Sequence, residues 1–316
     1  SGLNPFKEIL TIFRLIQVFS VVRPRLVHLI TIKPVIYGGI ISQFIGNCAR
    51  VFAISGLGYV FSSKSIALKF IKKLILILYR LALSGKNMRV IFQNANDREV
   101  LLNLSNLNEE MTVLIPGSGV NLDEFRFSKL NLDKPLVLMA SRLLAQKGIW
   151  EFVEAASVLK RKGVEAQFCL VGDLDIKNPS SLTKGDLKTI REAGEVEVLG
   201  YCEDMPSLLL RSTLVVLPSY YGEGLPKILI EAAACGRPVI TTDIPGCRDA
   251  IINGKTGLIV EPGNTKQLTD AIQYLLEDHK LLVEMGKNAR VLSEAQFSSE
   301  RIVEMHMRMY DDLIAL

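Results

Sequence analysis

The chain has 316 residues, 49% of them apolar and 22% charged, with a net charge of +4 at pH 7. That length suits two domains, that composition excludes a disordered chain, and so small a charge argues against a nucleic-acid partner. Five scattered cysteines with no C-x-x-C pair signal neither a zinc site nor a disulfide framework, so reduced thiols in the cytoplasm are the default.

Residues 1–5 read as mid-protein sequence without a signal peptide. Asn4 before Pro5 looks like a helix cap, and the helix is expected to reach about residue 22. A strand over 26–30, a helix over 34–45, a strand over 49–54 and a turn at Gly56 and Gly58 follow. A long basic helix is expected over 65–83, then strands over 90–93 and 112–115 with a helix over 94–104 between them. After a polar, turn-rich stretch at 131–135, a second series begins, with strands over 136–140, 166–171, 196–199, 214–217, 239–241 and 258–260. The alternation predicts an α/β protein with two parallel sheets flanked by helices, divided near residue 130 into domains 1–130 and 131–297. Residues 298–316 read as one more amphipathic helix.

The densest apolar run, residues 74–83, is broken by Arg80 and falls far short of the roughly 20 residues needed to span a bilayer. At 100° per residue, Lys69, Lys72, Lys73 and Arg80 share an arc of about 100° on the basic helix. Two readings stand: a face lying on an anionic membrane, or the charged outer side of a helix packed on the core.

The most informative segment, residues 217–249, reads L-P-S-Y-Y-G-E-G-L-P-K-I-L-I-E-A-A-A-C-G-R-P-V-I-T-T-D-I-P-G-C-R-D. A short strand runs into a loop with Gly222 and Gly224, and Pro226 is expected as the first helical residue. Gly236 and Pro238 stop that helix before the next strand. Its positive end favours an anion such as phosphate, and Glu223 and Glu231 flank it. Two carboxylates around a phosphate site suit a ligand with hydroxyls at both ends, which is the layout of a sugar nucleotide.

Ser141-Arg142-Leu143-Leu144-Ala145-Gln146-Lys147-Gly148 follows the first strand of the second series, where open parallel sheets bind ligands. Arg142 and Lys147 are candidates to neutralise a diphosphate; the alternative is two surface cations near a helix start, a poor place for them. Asp173 and Asp175 form a D-x-D that is read as a solvated loop in preference to a metal site, since no other carboxylate cluster supports it. Of three histidines, His279 and His306 are expected to be exposed, whereas His28 lines a cleft or sits hydrogen-bonded in the core.

G-E-G-L-P-K-I-L-I-E-A, containing the E-x7-E of Glu223 and Glu231, resembles the retaining glycosyltransferases of family 4, as do S-R-L-L-A-Q-K-G and P-G-S-G-V-N-L-D-E-F (116–125). S-G-L-N-P-F-K-E, H-L-I-T-I-K-P-V-I-Y-G-G and A-I-S-G-L-G-Y-V-F resemble the subset that extends undecaprenyl-diphosphate-linked sugars in capsule, O-antigen or glycoprotein glycan assembly. The resemblance implies a GT-B fold, two Rossmann-like domains facing a cleft, with helix 298–316 joining the first. It implies transfer of an N-acetylhexosamine from a UDP-sugar to a lipid-linked saccharide on the inner face of the plasma membrane, with no metal.

Glu223 would then contact the donor sugar and Glu231 the ribose, while Arg142 and Lys147 hold the diphosphate and stabilise departing UDP. Gly224, Leu225 and Lys227 belong to the same donor-binding segment. Three departures accompany the likeness. Pro226 stands where relatives often use a backbone N–H, a loss for which Lys227 is expected to compensate. Ile54 and Ser55 stand where many relatives carry a histidine. The family's first strands and glycine-rich loop would precede Ser1, so the first domain is expected to be incomplete. A UDP-sugar 2-epimerase and an inactive nucleotide-binding fragment remain as rival readings.

Overall fold

The computed structural model describes residues 5–44, 48–56, 66–104 and 107–315, giving backbone alone for residues 5 and 66–71. Asn4, Gly58 and the Lys69 side chain therefore lie outside the described residues. The chain divides into two compact units, 1–117 with 302–316, and 118–301.

Unit 1 is a parallel sheet in the order β1 (Leu26–Ile30), β2 (Ala49–Ile54), β3 (Met88–Phe92), β4 (Thr112–Leu114). Period-two alternation gives it two buried faces. Val27, Leu29, Phe52, Ile54, Val90 and Phe92 build one core, to which α1 (Pro5–Val22) adds Phe19 and α2 (Ile32–Ser42) adds Val35. Ala49, Val51 and Ile91 point the other way, where Ile302, Met309 and Leu313 of the last helix, Ser299–Ile314, cover them. Helix α2 starts two residues before the expected Pro34. A proline in the first turn is tolerated because its missing amide would have no acceptor within the helix.

Between α2 and β3 lies α3 (Ile66–Ala82), and α4 (Ala95–Leu104) follows β3. On α3, Lys73, Leu74, Ile77, Arg80 and Leu81 are exposed while Tyr79 and Ala82 are buried. Arg80 is committed in part, since its Nε and Nη2 donate to Leu104 O at 3.2 and 2.9 Å, closing the end of α4. Helix α1 exposes Phe6, Ile9, Phe13, Val21 and Val22, and β1 has one sheet neighbour among the described residues.

Unit 2 holds six parallel strands in the order β10 (Gly257–Val260), β9 (Val239–Thr242), β8 (Leu214–Leu217), β5 (Leu136–Ala140), β6 (Gln167–Val171), β7 (Glu197–Gly200). The helices after β5 are α5 (Ile149–Arg161), α6 (Lys184–Ala193), α7 (Met205–Arg211), α8 (Lys227–Ala234), α9 (Thr265–Glu277) and α10 (His279–Leu292), and α11 is the last helix already given. Helix α5 buries Ile149, Phe152, Ala155, Ala156 and Leu159 at helical spacing, and Phe152 meets Phe168 of β6 edge-on, ring centroids 6.0 Å apart. The units part at residue 117, earlier than the expected 130. Val120 and Phe125 belong to the core of unit 2, and burial of these two side chains outweighs the turn-rich composition of residues 131–135.

One of the three histidines differs from expectation. His279 is exposed, but His306 is half-buried, with Nδ1 2.7 Å from Ile302 O and its ring 5.7 Å from that of His28. Tyr310 Oη lies 2.7 Å from His28 Nδ1, and His28 Nε2 is buried without a partner. Burial, then the charge of His306, lowers the His28 pKa. The folded state therefore binds fewer protons there than the unfolded one. Its stabilising contribution is full above about pH 6.5 and is lost as pH falls through the lower folded value. The melting temperature should drop between pH 7 and 5, and His28→Gln should flatten that slope. An unchanged slope in calorimetric melts of the variant would refute the assignment.

Candidate functional site

Strand order in unit 2 reverses at β5, which has β6 on one side and β8 on the other. Ligands in such sheets bind outside the carboxyl ends of the strands, at that reversal. The loop after β5 carries Arg142 and Lys147, the loop after β6 Asp173 and Asp175, and the loop after β8 Glu223.

Two glycines make the central pairing possible. Lys147 ends a 3-10 turn, Ala145–Lys147, and Gly148 leaves it with φ +80°; a Cβ at 148 would run into the carbonyl of Pro218. The close approach lets Tyr220 N donate to Gln146 O at 3.1 Å, sewing the loop after β8 to that turn. Lys147 Nζ then donates to Glu223 Oε1, with 11% and 14% of the two side chains exposed. Ser219, fully buried, donates through Oγ to the same Glu223 oxygen at 3.1 Å. From the opposite side Gly246, φ +82°, lets the loop after β9 touch the carbonyls of Glu223 and Gly224, where any Cβ would collide.

A cavity of about 480 Å³ opens beyond β5, β6 and β7. Arg142 and Glu231 line it with Asp173, Asp175, Tyr201 and Cys202, over an apolar wall that includes Met205 and Ile228. Arg142 Nη1 donates to Asp175 Oδ2 at 3.1 Å. The D-x-D is thus no merely solvated loop: Asp173 is exposed on the cavity and Asp175 is the counter-ion of Arg142. Among the described residues, no group of three or more His, Cys, Asp or Glu side chains is placed to hold a metal ion.

Helix α8 begins at Lys227, with Pro226 as its cap at φ −64°, ψ 121°, one residue before the expected position. Proline offers no side-chain acceptor, so the first amides of α8 gain no cap from it. Lys227 Nζ reaches forward one turn to Glu231 Oε1, 3.3 Å away. Burial raises the Glu231 pKa, and Lys227 offsets part of that shift. Leu225 is buried in the core of unit 2.

The expected residues therefore fall into two neighbouring groups. Arg142 and Glu231 share the cavity; Lys147 and Glu223 form a separate ion pair on the adjoining loops. Sequence reasoning missed Ser219, Gly246, Tyr201 and Cys202. The rule that ligands sit beyond strand ends points to Tyr201 and Cys202 after β7, whereas Ser219 and Gly246 are polar and turn residues without a motif of their own.

Comparison with known proteins places this geometry. The glycosyl transferases group 1 family matches residues 121–292. The N,N'-diacetylbacillosaminyl-diphospho-undecaprenol alpha-1,3-N-acetylgalactosaminyltransferase of Campylobacter jejuni is 32% identical over 99% of this chain and 84% of its own length. The capsular polysaccharide biosynthesis glycosyltransferase CapM of Staphylococcus aureus is 26% identical over 98% and 82%. The crystal structure of Anabaena HepE in complex with UDP superposes with a TM-score of 0.79 at 20% identity, covering 96% of this chain and 82% of that one. With two parallel-sheet units of Rossmann type and a family match over more than half its length, the chain belongs to the group 1 glycosyl transferases and is a glycosyltransferase of GT-B architecture.

Proposed function

We propose that this chain transfers an N-acetylhexosamine from a UDP-sugar to a lipid-linked saccharide, with retention at the sugar. The carrying observation is the pairing around the strand ends: Arg142 and Glu231 on one cavity, Lys147 and Glu223 beside it. The donor and acceptor classes draw support from the Campylobacter relative and from the UDP complex of HepE. About 480 Å³ is within the usual range for small-molecule sites. In this reading the nucleoside enters the cavity, with its ribose hydroxyls donating to Glu231. The diphosphate takes Arg142 and Lys147 and the first amides of α8, where Gly224, Leu225 and Lys227 complete the donor segment. Fixed positive charge where UDP gathers negative charge supplies the main catalytic term without a metal, and Glu223 accepts from donor-sugar hydroxyls. The acceptor attacks from the face that UDP leaves; no side chain is assigned as a nucleophile.

Membrane contact belongs to the same proposal. The exposed stripe of α3 mixes Lys73 and Arg80 with Leu74, Ile77 and Leu81, the composition of a helix lying among lipid headgroups, with Lys72 and Lys69 on the same helix. Such a surface would keep the enzyme peripheral on the cytoplasmic side, close to its acceptor.

Three measurements bear on these assignments. Glu231→Ala should weaken UDP binding by about tenfold, while Glu223→Ala should cut transfer about a hundredfold with less effect on UDP affinity, in line with losing a charged hydrogen bond and a transition-state contact respectively. Calorimetry and a transfer assay with a panel of UDP-sugars, with and without lipid-linked acceptor, would read both; equal small effects refute the roles, and product without acceptor favours epimerisation. Cys202 lines the cavity, whereas Cys48, Cys169, Cys235 and Cys247 are buried. A maleimide should label Cys202 first and UDP should protect it; labelling indifferent to UDP would put the nucleotide elsewhere. Glutamate at Lys69, Lys72 and Lys73 should abolish binding to anionic vesicles, and retained binding would make α3 an ordinary surface helix.

A further inference from the structure

Each cation given to the diphosphate already has a carboxylate partner: Lys147 has Glu223, Lys227 has Glu231, and Arg142 has Asp175. Glu223 and Glu231 have donor hydroxyls to receive once displaced. Asp175 has no such role in the reaction, yet it is held in place more firmly than a solvated loop residue. Its amide donates to Ser181 Oγ at 3.0 Å, and its carbonyl accepts from Asn178 N at 2.7 Å. Ser181 bridges to Leu144, Ala145 N donates to Ser180 O at 2.8 Å, and Leu143 N donates to Asp173 O at 3.0 Å. Residues 173–182 are thereby laced to the segment that bears Arg142 and Lys147.

The contact to Arg142 is made through one guanidinium nitrogen, so the planar fork can still meet a phosphate. Asp175 also lines the cavity itself, which sets its negative charge beside the one the ligand brings. We propose that Asp175 is a positioning and release residue: it holds Arg142 ready when the site is empty, opposes the diphosphate while UDP is bound, and recovers Arg142 as UDP departs. Its charge trades product affinity for turnover. This inference rests on Arg142 being a diphosphate ligand.

The test is calorimetric titration with UDP together with steady-state transfer kinetics for wild type, Arg142→Ala, Asp175→Asn and Asp175→Glu. Asp175→Asn should tighten UDP about threefold to fivefold, the scale of an exposed charge pair, and should lower KM for the donor and kcat together. Asp175→Glu should restore the wild-type split. UDP binding that weakens or does not change in Asp175→Asn overturns the release role, and a KM that rises at constant kcat does the same. If Arg142→Ala leaves UDP affinity untouched, it is the donor-site reading that fails, and the two failures are thereby told apart.

Discussion

A positive charge held out of water needs a negative one beside it, and the carboxyl end of the second sheet is organised by that requirement. Lys147 is mostly buried, and Glu223 neutralises it. Breaking such a pair from one side strands a charge and costs about 3–5 kcal/mol. The loops after β5, β8 and β9 are consequently fitted to one another: Gly148 lets the first approach the second, Gly246 lets the third touch it, and Ser219 fixes the carboxylate from below. On the proposed function, a diphosphate arriving here would replace partners that the protein already supplies, and two of the displaced carboxylates, Glu223 and Glu231, would then be able to grip hydroxyls. Binding and site assembly then become one exchange.

Local chemistry was readable in the sequence wherever local chemistry decides. The bounds of β1, β2, β5 and β8 follow from apolar runs closed by turn residues, and the parallel α/β class follows from their alternation. Glu231 and Lys227 are four residues apart on one helix, so their contact was implicit in helical geometry. Lys147 and Glu223 are 76 residues apart and Arg142 and Asp175 are 33 apart, so no spacing rule could pair them. The D-x-D has no second carboxylate cluster near it in the sequence, and the group that gives Asp175 its place is a cation from the loop after the neighbouring strand. Boundaries failed where packing overrode composition, as at Val120 and Phe125. His306 looked exposed among charged neighbours because the facing ring, His28, comes from a strand far away in the chain.

The two sheets are built to different tolerances. Around the reversal at β5, strand ends, glycines and hydroxyls are fixed by contacts of specific chemistry. In unit 1 the features of interest are faces: a helix α3 with cations among exposed apolar residues, and a cluster of His28, His306 and Tyr310 under the last helix. On the proposed function, a donor of fixed shape would be matched by that close-fitted end, whereas a long, fluid acceptor lipid would ask for breadth and charge.

Helix α1 and strand β1 have a practical corollary. Phe6, Ile9, Phe13, Val21 and Val22 stand in solvent, and among the described residues β1 has one sheet neighbour. An exposed apolar helix face of this kind favours association, so light scattering should grow with concentration and subside with mild detergent.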